Sequence, residues 1–185
     1  MKKILIICLV LTSIGCIDKE KAQILYLIGK QIHIDESYQS LSVKNGVIDS
    51  LSVFYEFKKP IKIVTYMDRS SCTQCAMQIL IEWNKILQDV KSDSVGFVTI
   101  VYPTDKAELE SALNMLKLSN TLLYDTYNNY LKDNKLSDIL ARNRTFLLDK
   151  NNKVVLVGEP LHKPKLWDLY KSSIQILINN KGVMP

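Results

Sequence analysis

The spacing of apolar residues changes character several times along the chain, and each change predicts an element. Ile4 to Leu11 is an unbroken apolar run behind Met1-Lys2-Lys3. Residues 22–36 start with helical spacing and end in alternation at Ile32 and Ile34. Leu41, Val43 and Val47 then flank Asn45-Gly46, a dipeptide suited to a two-residue hairpin turn. Val53, Tyr55 and Phe57 alternate until Lys58-Lys59-Pro60 stops the pattern, so residues 22–59 read as an extension of small strands covering an edge of a main sheet. Ile61 to Met67 is rich in β-branched residues and predicts a buried strand. After the polar turn Asp68-Arg69-Ser70-Ser71, the residues Ala76, Ile79, Leu80, Trp83, Ile86, Leu87 and Val90 form the stripe of an amphipathic helix.

Val95 to Val101 predicts a second buried strand, closed by Tyr102-Pro103, and Thr104-Asp105 can cap a helix from Lys106 to about Leu118. Thr121 to Tyr124 suggests a short strand, and Thr126 to Leu140 one helix or two. Arg144 to Asp149 and Val154 to Gly158 flank the hairpin punctuation Lys150-Asn151-Asn152-Lys153, and Lys165 to Ile178 predicts a closing helix. The order β-α-β-α, a helical stretch, then β-β-α defines an α/β domain.

Composition changes this picture little, except at cysteine. The 185 residues are 47% hydrophobic and 23% charged, enough to bury one core. Lys+Arg 24 against Asp+Glu 19 gives a formal +5, but no basic run exceeds two residues, which argues against a nucleic-acid partner. Four cysteines, Cys8, Cys16, Cys72 and Cys75, are too few for a disulfide scaffold.

The apolar run after Lys2-Lys3 is too short for a comfortable membrane span and reads as a signal-peptide core. Ser13-Ile14-Gly15-Cys16 follows it and resembles a bacterial lipobox, with Ser13 in place of the usual Leu. The resemblance implies a signal peptide over 1–15 and a lipid on Cys16, which becomes the mature N-terminus. A tether and extension then cover 16–59, and a domain covers 60–180. The alternative is plain secretory cleavage with Cys16 an ordinary residue. Lipidation would remove Lys2 and Lys3, lowering Lys+Arg from 24 to 22 and the net charge to +3. The protein would then sit in the bacterial cell envelope, anchored to a membrane through its N-terminal lipid and facing the periplasm or the cell surface, where disulfides persist.

That leaves Cys72-Thr73-Gln74-Cys75, between the strand at 61–67 and the striped helix. A cysteine at a helix start sits among unpaired backbone N–H groups at the positive end of the dipole, which favours thiolate. The i, i+3 spacing brings the second sulfur to the same side within one turn. Cys72 is therefore expected to attack, and Cys75, inside the first turn and less accessible, to resolve.

The strand followed by Cys72-x-x-Cys75 and an amphipathic helix resembles the thioredoxin-like superfamily. Thr145-Phe146-Leu147-Leu148-Asp149-Lys150-Asn151-Asn152-Lys153-Val154 resembles the TFLID-x-x-G-x-V hairpin of its membrane-tethered TlpA-like branch. Together the motifs span about residues 60–180. They imply a three-layer fold with a central mixed sheet and flanking helices, and thiol–disulfide exchange with extracytoplasmic protein thiols and disulfides, without a cofactor. The family's cis-proline, which guides substrate, aligns with Asn143 or Arg144, making these two the candidate substrate-binding residues. A non-proline cis bond costs about 2.5–4 kcal/mol, so a trans peptide is expected there. The family's buried carboxylate has no match within Ile63 to Met67, although Asp68 is near, and the spacing of Glu82 places it on an exposed helix face.

A structural zinc would draw on Cys16, His33 and His162 beyond the pair, and no metal site is expected. Trp83 and Trp167 fall on helix stripes and are expected in the core. The reading from a different class is a non-catalytic thioredoxin-like binding or assembly lipoprotein with a static Cys72–Cys75 disulfide. Two intervening residues close too small a loop for that bond to add much stability.

Overall fold

A computed structural model of the protein describes residues 19–34, 39–44, 47–49, 53–68, 73–90, 92–102, 105, 107–108, 111 and 120–185. The signal peptide, Cys16, Cys72, Asn45-Gly46 and most of the helix expected at 106–118 lie outside the described residues.

The central strand is β3 (Ile61–Met67), buried along its whole length as its β-branched sequence predicts. It runs parallel to β4 (Val95–Val101), and β4 parallel to β5 (Asn120–Tyr124). On its other side β3 is antiparallel to β6 (Thr145–Leu148), which forms the expected hairpin with β7 (Val154–Val157). The extension adds β1 (Gln39–Lys44) and β2 (Val47–Asp49), a hairpin in which Lys44 faces Val47 and β1 pairs antiparallel with β5. The sheet thus has the order β2-β1-β5-β4-β3-β6-β7. The extension continues the main sheet at its edge.

Side chains alternate across β3, so it feeds two cores. Ile61 and Ile63 join Trp83 of α3 (Thr73–Leu87) and Trp167, Tyr170, Ile174 and Leu177 of α5 (Pro164–Asn179). Val64 and Tyr66 join Leu27 of α1 (Lys19–Leu27) and Tyr130 and Leu131 of α4 (Asn129–Asp133) on the opposite face. Both tryptophans are core residues, as their spacing predicts. Trp83 packs on Phe97 at 4.8 Å, and the Trp167 indole N–H donates to Asp89 at 3.1 Å. The result is a three-layer α/β/α domain.

One expected strand is a helix. Val53 to Lys58, read as an alternating strand, forms α2 (Val53–Lys58). The chain must pass from β2, at the sheet's edge, to β3, near its centre, and α2 contacts β1, β5 and β4 on the way. A segment crossing a sheet face finds no ladder to join, and a helix satisfies its backbone groups internally. The approach is close enough that a Cβ on Gly96 would collide with the Glu56 carbonyl oxygen.

The β6–β7 turn depends on Asp149, which is buried. Its carboxylate accepts from the Asn151 and Lys153 amides, both at 2.8 Å. Asn152 takes φ 59°, a left-handed conformation that asparagine tolerates where the resembling hairpin carries glycine.

Candidate active site

Helix α3 begins at Thr73, six residues after β3 ends at Met67, so Cys75 stands in the first turn of the helix that follows the central strand. The first turn of α3 carries no acidic side chain, leaving the dipole's positive end uncompensated. Cys75 is disulfide-bonded, and since it is the only cysteine among the described residues, its partner lies outside them. Its expected shelter is not observed: Cys75 is exposed. The buried stripe of α3 begins at Met77 and Leu80, so the first turn lies outside the layer that the sheet covers.

At the carboxyl end of β3 lies a pocket of about 190 Å³ lined by Thr65, Met67, Asp68, Ile79, Arg142 and Glu159, among others. Ile79 is one helical turn after Cys75, and residues four apart share a helix face, so the pocket and Cys75 lie on the same side of α3. At its floor the hydroxyls of Thr65 and Thr145, on neighbouring strands, hydrogen-bond at 2.9 Å. The Glu159 carboxyl is half-buried, and loss of water pushes its pKa up despite the opposing attraction of Lys163 and His162. The Tyr66 hydroxyl donates to Asn128 at 2.7 Å, and burial together with the nearby Asp125 and Asp68 carboxylates drives its pKa up.

The two residues aligned with the family's cis-proline have different surroundings. Arg144 is held from several sides, one of them Asp68 in the pocket wall. Its Nε donates to the Ile139 carbonyl at 2.9 Å and a terminal nitrogen to that of Ser137 at 3.2 Å, while the other pairs with Asp68 at 3.1 Å. Its guanidinium also lies 5.8 Å from the Tyr66 ring centre. Asn143 is buried, with its amide 3.4 Å from the Gln23 side-chain oxygen, which also accepts from the Leu140 amide. Helix α1 thereby grips the loop that carries both residues, and the Arg142–Glu20 ion pair at 2.7 Å adds to the grip. No cis peptide occurs among the described residues.

Glu82 is set in an ion pair with Lys85 at 3.1 Å, which lowers its pKa. His33 and His162 are both exposed. Sequence reasoning missed the Thr65–Thr145 pair, the Arg144–Asp68 pair and Glu159. Asp68 carried a signal in its nearness to the cysteine motif and Arg144 in its alignment with the family's cis-proline, but not their pairing; the rest meet across strands and loops distant in the chain.

A mixed sheet between two helical layers, with a disulfide-bonded cysteine in the first turn after the central strand, defines the thioredoxin-like fold. Solved structures bear this out. A variant of PrxQ from Xylella fastidiosa superposes with TM-score 0.53 at 13% identity, covering 80% of this chain and 96% of that one. A protein described as a thiol-disulfide oxidoreductase from Bacteroides vulgatus gives 0.51 at 17%, covering 77% and 91%. One described as the thiol:disulfide interchange protein DsbE from Chlorobium tepidum gives 0.50 at 15%, covering 77% and 98%. At these identities the likeness establishes the fold. No protein-family model matches the sequence, and neither does any curated protein.

Proposed function

We propose that the protein is a lipid-anchored, extracytoplasmic thiol–disulfide oxidoreductase working through Cys72 and Cys75. The observation that carries this reading is the disulfide-bonded Cys75 in the first turn of α3, on the same side of that helix as a pocket floored by the central strands. In the reducing direction the Cys72 thiolate attacks a substrate disulfide, whose S–S bond breaks and releases one substrate thiolate. The Cys75 thiolate then attacks Cys72 in the mixed disulfide, releasing the second. The substrate gains two electrons and two protons, and the protein is left with a Cys72–Cys75 disulfide. The backbone at Asn143-Arg144 is the surface against which substrate lies, held by α1 and by the Arg144–Asp68 pair. A membrane partner resets the dithiol, and Cys16 carries the lipid.

Trapping tests this reading. A Cys75→Ser variant, unable to resolve, should accumulate a mixed disulfide between Cys72 and another envelope protein. Absence of any trapped protein, with Cys72 alkylated no faster than an ordinary thiol, would favour a static disulfide in a binding module.

A further inference from the structure

Helix α1 has two faces of opposite use. Glu20, Gln23, Ile24 and Leu27, at helical spacing, face the domain: Glu20 pairs with Arg142, Gln23 holds Leu140, and Leu27 is fully buried. The outward side carries Leu25 and Tyr26, which are 67% and 53% exposed, and Ile28 follows at 45%. Seven large apolar side chains are exposed among the described residues, and these three fall within four consecutive positions. Met184, 40% exposed, joins Ile28 in lining a groove of about 370 Å³ along β7. Contiguous exposed apolar surface of this kind marks an interaction site.

The charges around it are basic. Lys19 and Lys21 are exposed, the Lys30 ammonium lies 4.9 Å from the Tyr26 ring centre and donates to its hydroxyl at 3.1 Å, and Glu20 is offset by Arg142. Apolar and tyrosine side chains ringed by lysine suit the boundary between acyl chains and anionic headgroups. Position along the chain identifies the occupant. Only two residues, Ile17 and Asp18, separate Cys16 from Lys19, a reach of at most about 11 Å, so a lipid on Cys16 keeps α1 at the headgroup layer.

We infer that the outward face of α1, through Leu25, Tyr26 and Ile28, seats the domain on the surface of the membrane that receives the lipid. This rests on the lipid-anchor reading above. Because α1 also grips the loop at Leu140–Asn143, the seat holds the candidate active site at a fixed height and suits it to partners embedded in the same membrane.

The test uses the mature lipidated protein in vesicles of phosphatidylethanolamine and phosphatidylglycerol with brominated acyl chains, which quench tryptophan on contact. Tyr26→Trp is compared with Leu169→Trp, an exposed site on α5 in the opposite layer, both over the shared background of buried Trp83 and Trp167. The added tryptophan at 26 should be quenched at least about twofold more than that at 169, with a blue-shifted emission, as expected of an aromatic side chain at the membrane interface. Equal quenching at the two sites overturns the seat, and so does a blue shift at 26 without quenching, which places protein, such as a second copy, on that face. A mature protein whose mass shows no lipid on Cys16 overturns the anchor reading instead, and the seat with it.

Discussion

The two ends of the central strand are built to opposite plans. At the amino end of β3 the charged groups packed against the sheet are tied up by partners in the fold. Lys62 is buried, with its ammonium donating to the Lys59 carbonyl at 3.0 Å; Lys59 pairs with Glu56 at 2.8 Å; and Glu56 accepts from the Phe97 amide at 3.2 Å. The α2 backbone lies so close to β4 that only glycine fits at position 96. At the carboxyl end polar groups surround a pocket, Asp68, paired with Arg144, forms part of its wall, and the Glu159 carboxyl stays half-buried at an energetic cost. One end is closed, and the other leaves space on the side of α3 that carries the disulfide-bonded Cys75.

This contrast makes Cys72→Ser the most disruptive change for activity and a mild one for the fold. Reduction of a model disulfide by the dithiol form should fall by roughly a hundredfold or more, because a serine hydroxyl supplies no thiolate at neutral pH. The thermal midpoint should barely move, since so short a disulfide loop adds little. A large loss of stability with activity retained would reverse the assignment of the two ends.

Gly96→Ala probes the closed end. The new methyl must push the Glu56 carbonyl away, and overpacking of this kind costs about 1–3 kcal/mol. Urea unfolding should show that loss while the exchange rate per folded molecule stays unchanged. An equal drop in exchange would mean that the two ends are coupled.

The smallest effect expected is that of Glu159→Gln, and it should depend on pH. Burial raises the folded-state pKa of Glu159 above 4.5, so the fold disfavours the charged form. Well below pH 4.5 the carboxyl is neutral folded or unfolded and costs nothing. As the pH rises through the folded pKa the penalty appears in full. The positive charge of Lys163 and that of His162 oppose the shift without cancelling it. The variant should therefore melt slightly higher than the parent at neutral pH and equally in acid. An equal difference at both pH values would place its cause outside the carboxyl charge.

Most of the sheet was legible because each strand's burial is written in a short run. Ile61 to Met67, Val95 to Val101 and the β6–β7 hairpin all carry apolar, β-branched runs bounded by turn residues. The segment Val53-Phe54-Tyr55-Glu56-Phe57-Lys58 was misread because six residues fit both periods, and only its path across the sheet decides between them. Of the candidate site, the helix start that carries Cys75 was legible, because the apolar stripe behind the cysteine motif announces the helix. The walls of the site were not. Thr65 meets Thr145 across eighty residues, and Gln23 reaches Leu140 across 117, so no local pattern announces them.

The central claim is that Cys72 and Cys75 form a working redox pair and not a structural staple. The reduction potential of that pair, measured on the folded protein by equilibration with glutathione or dithiothreitol buffers, tests it most directly. The account predicts a poised value between about −120 and −300 mV, where exchange with protein partners is reversible. A potential well below about −300 mV would mark an inert bond and contradict it.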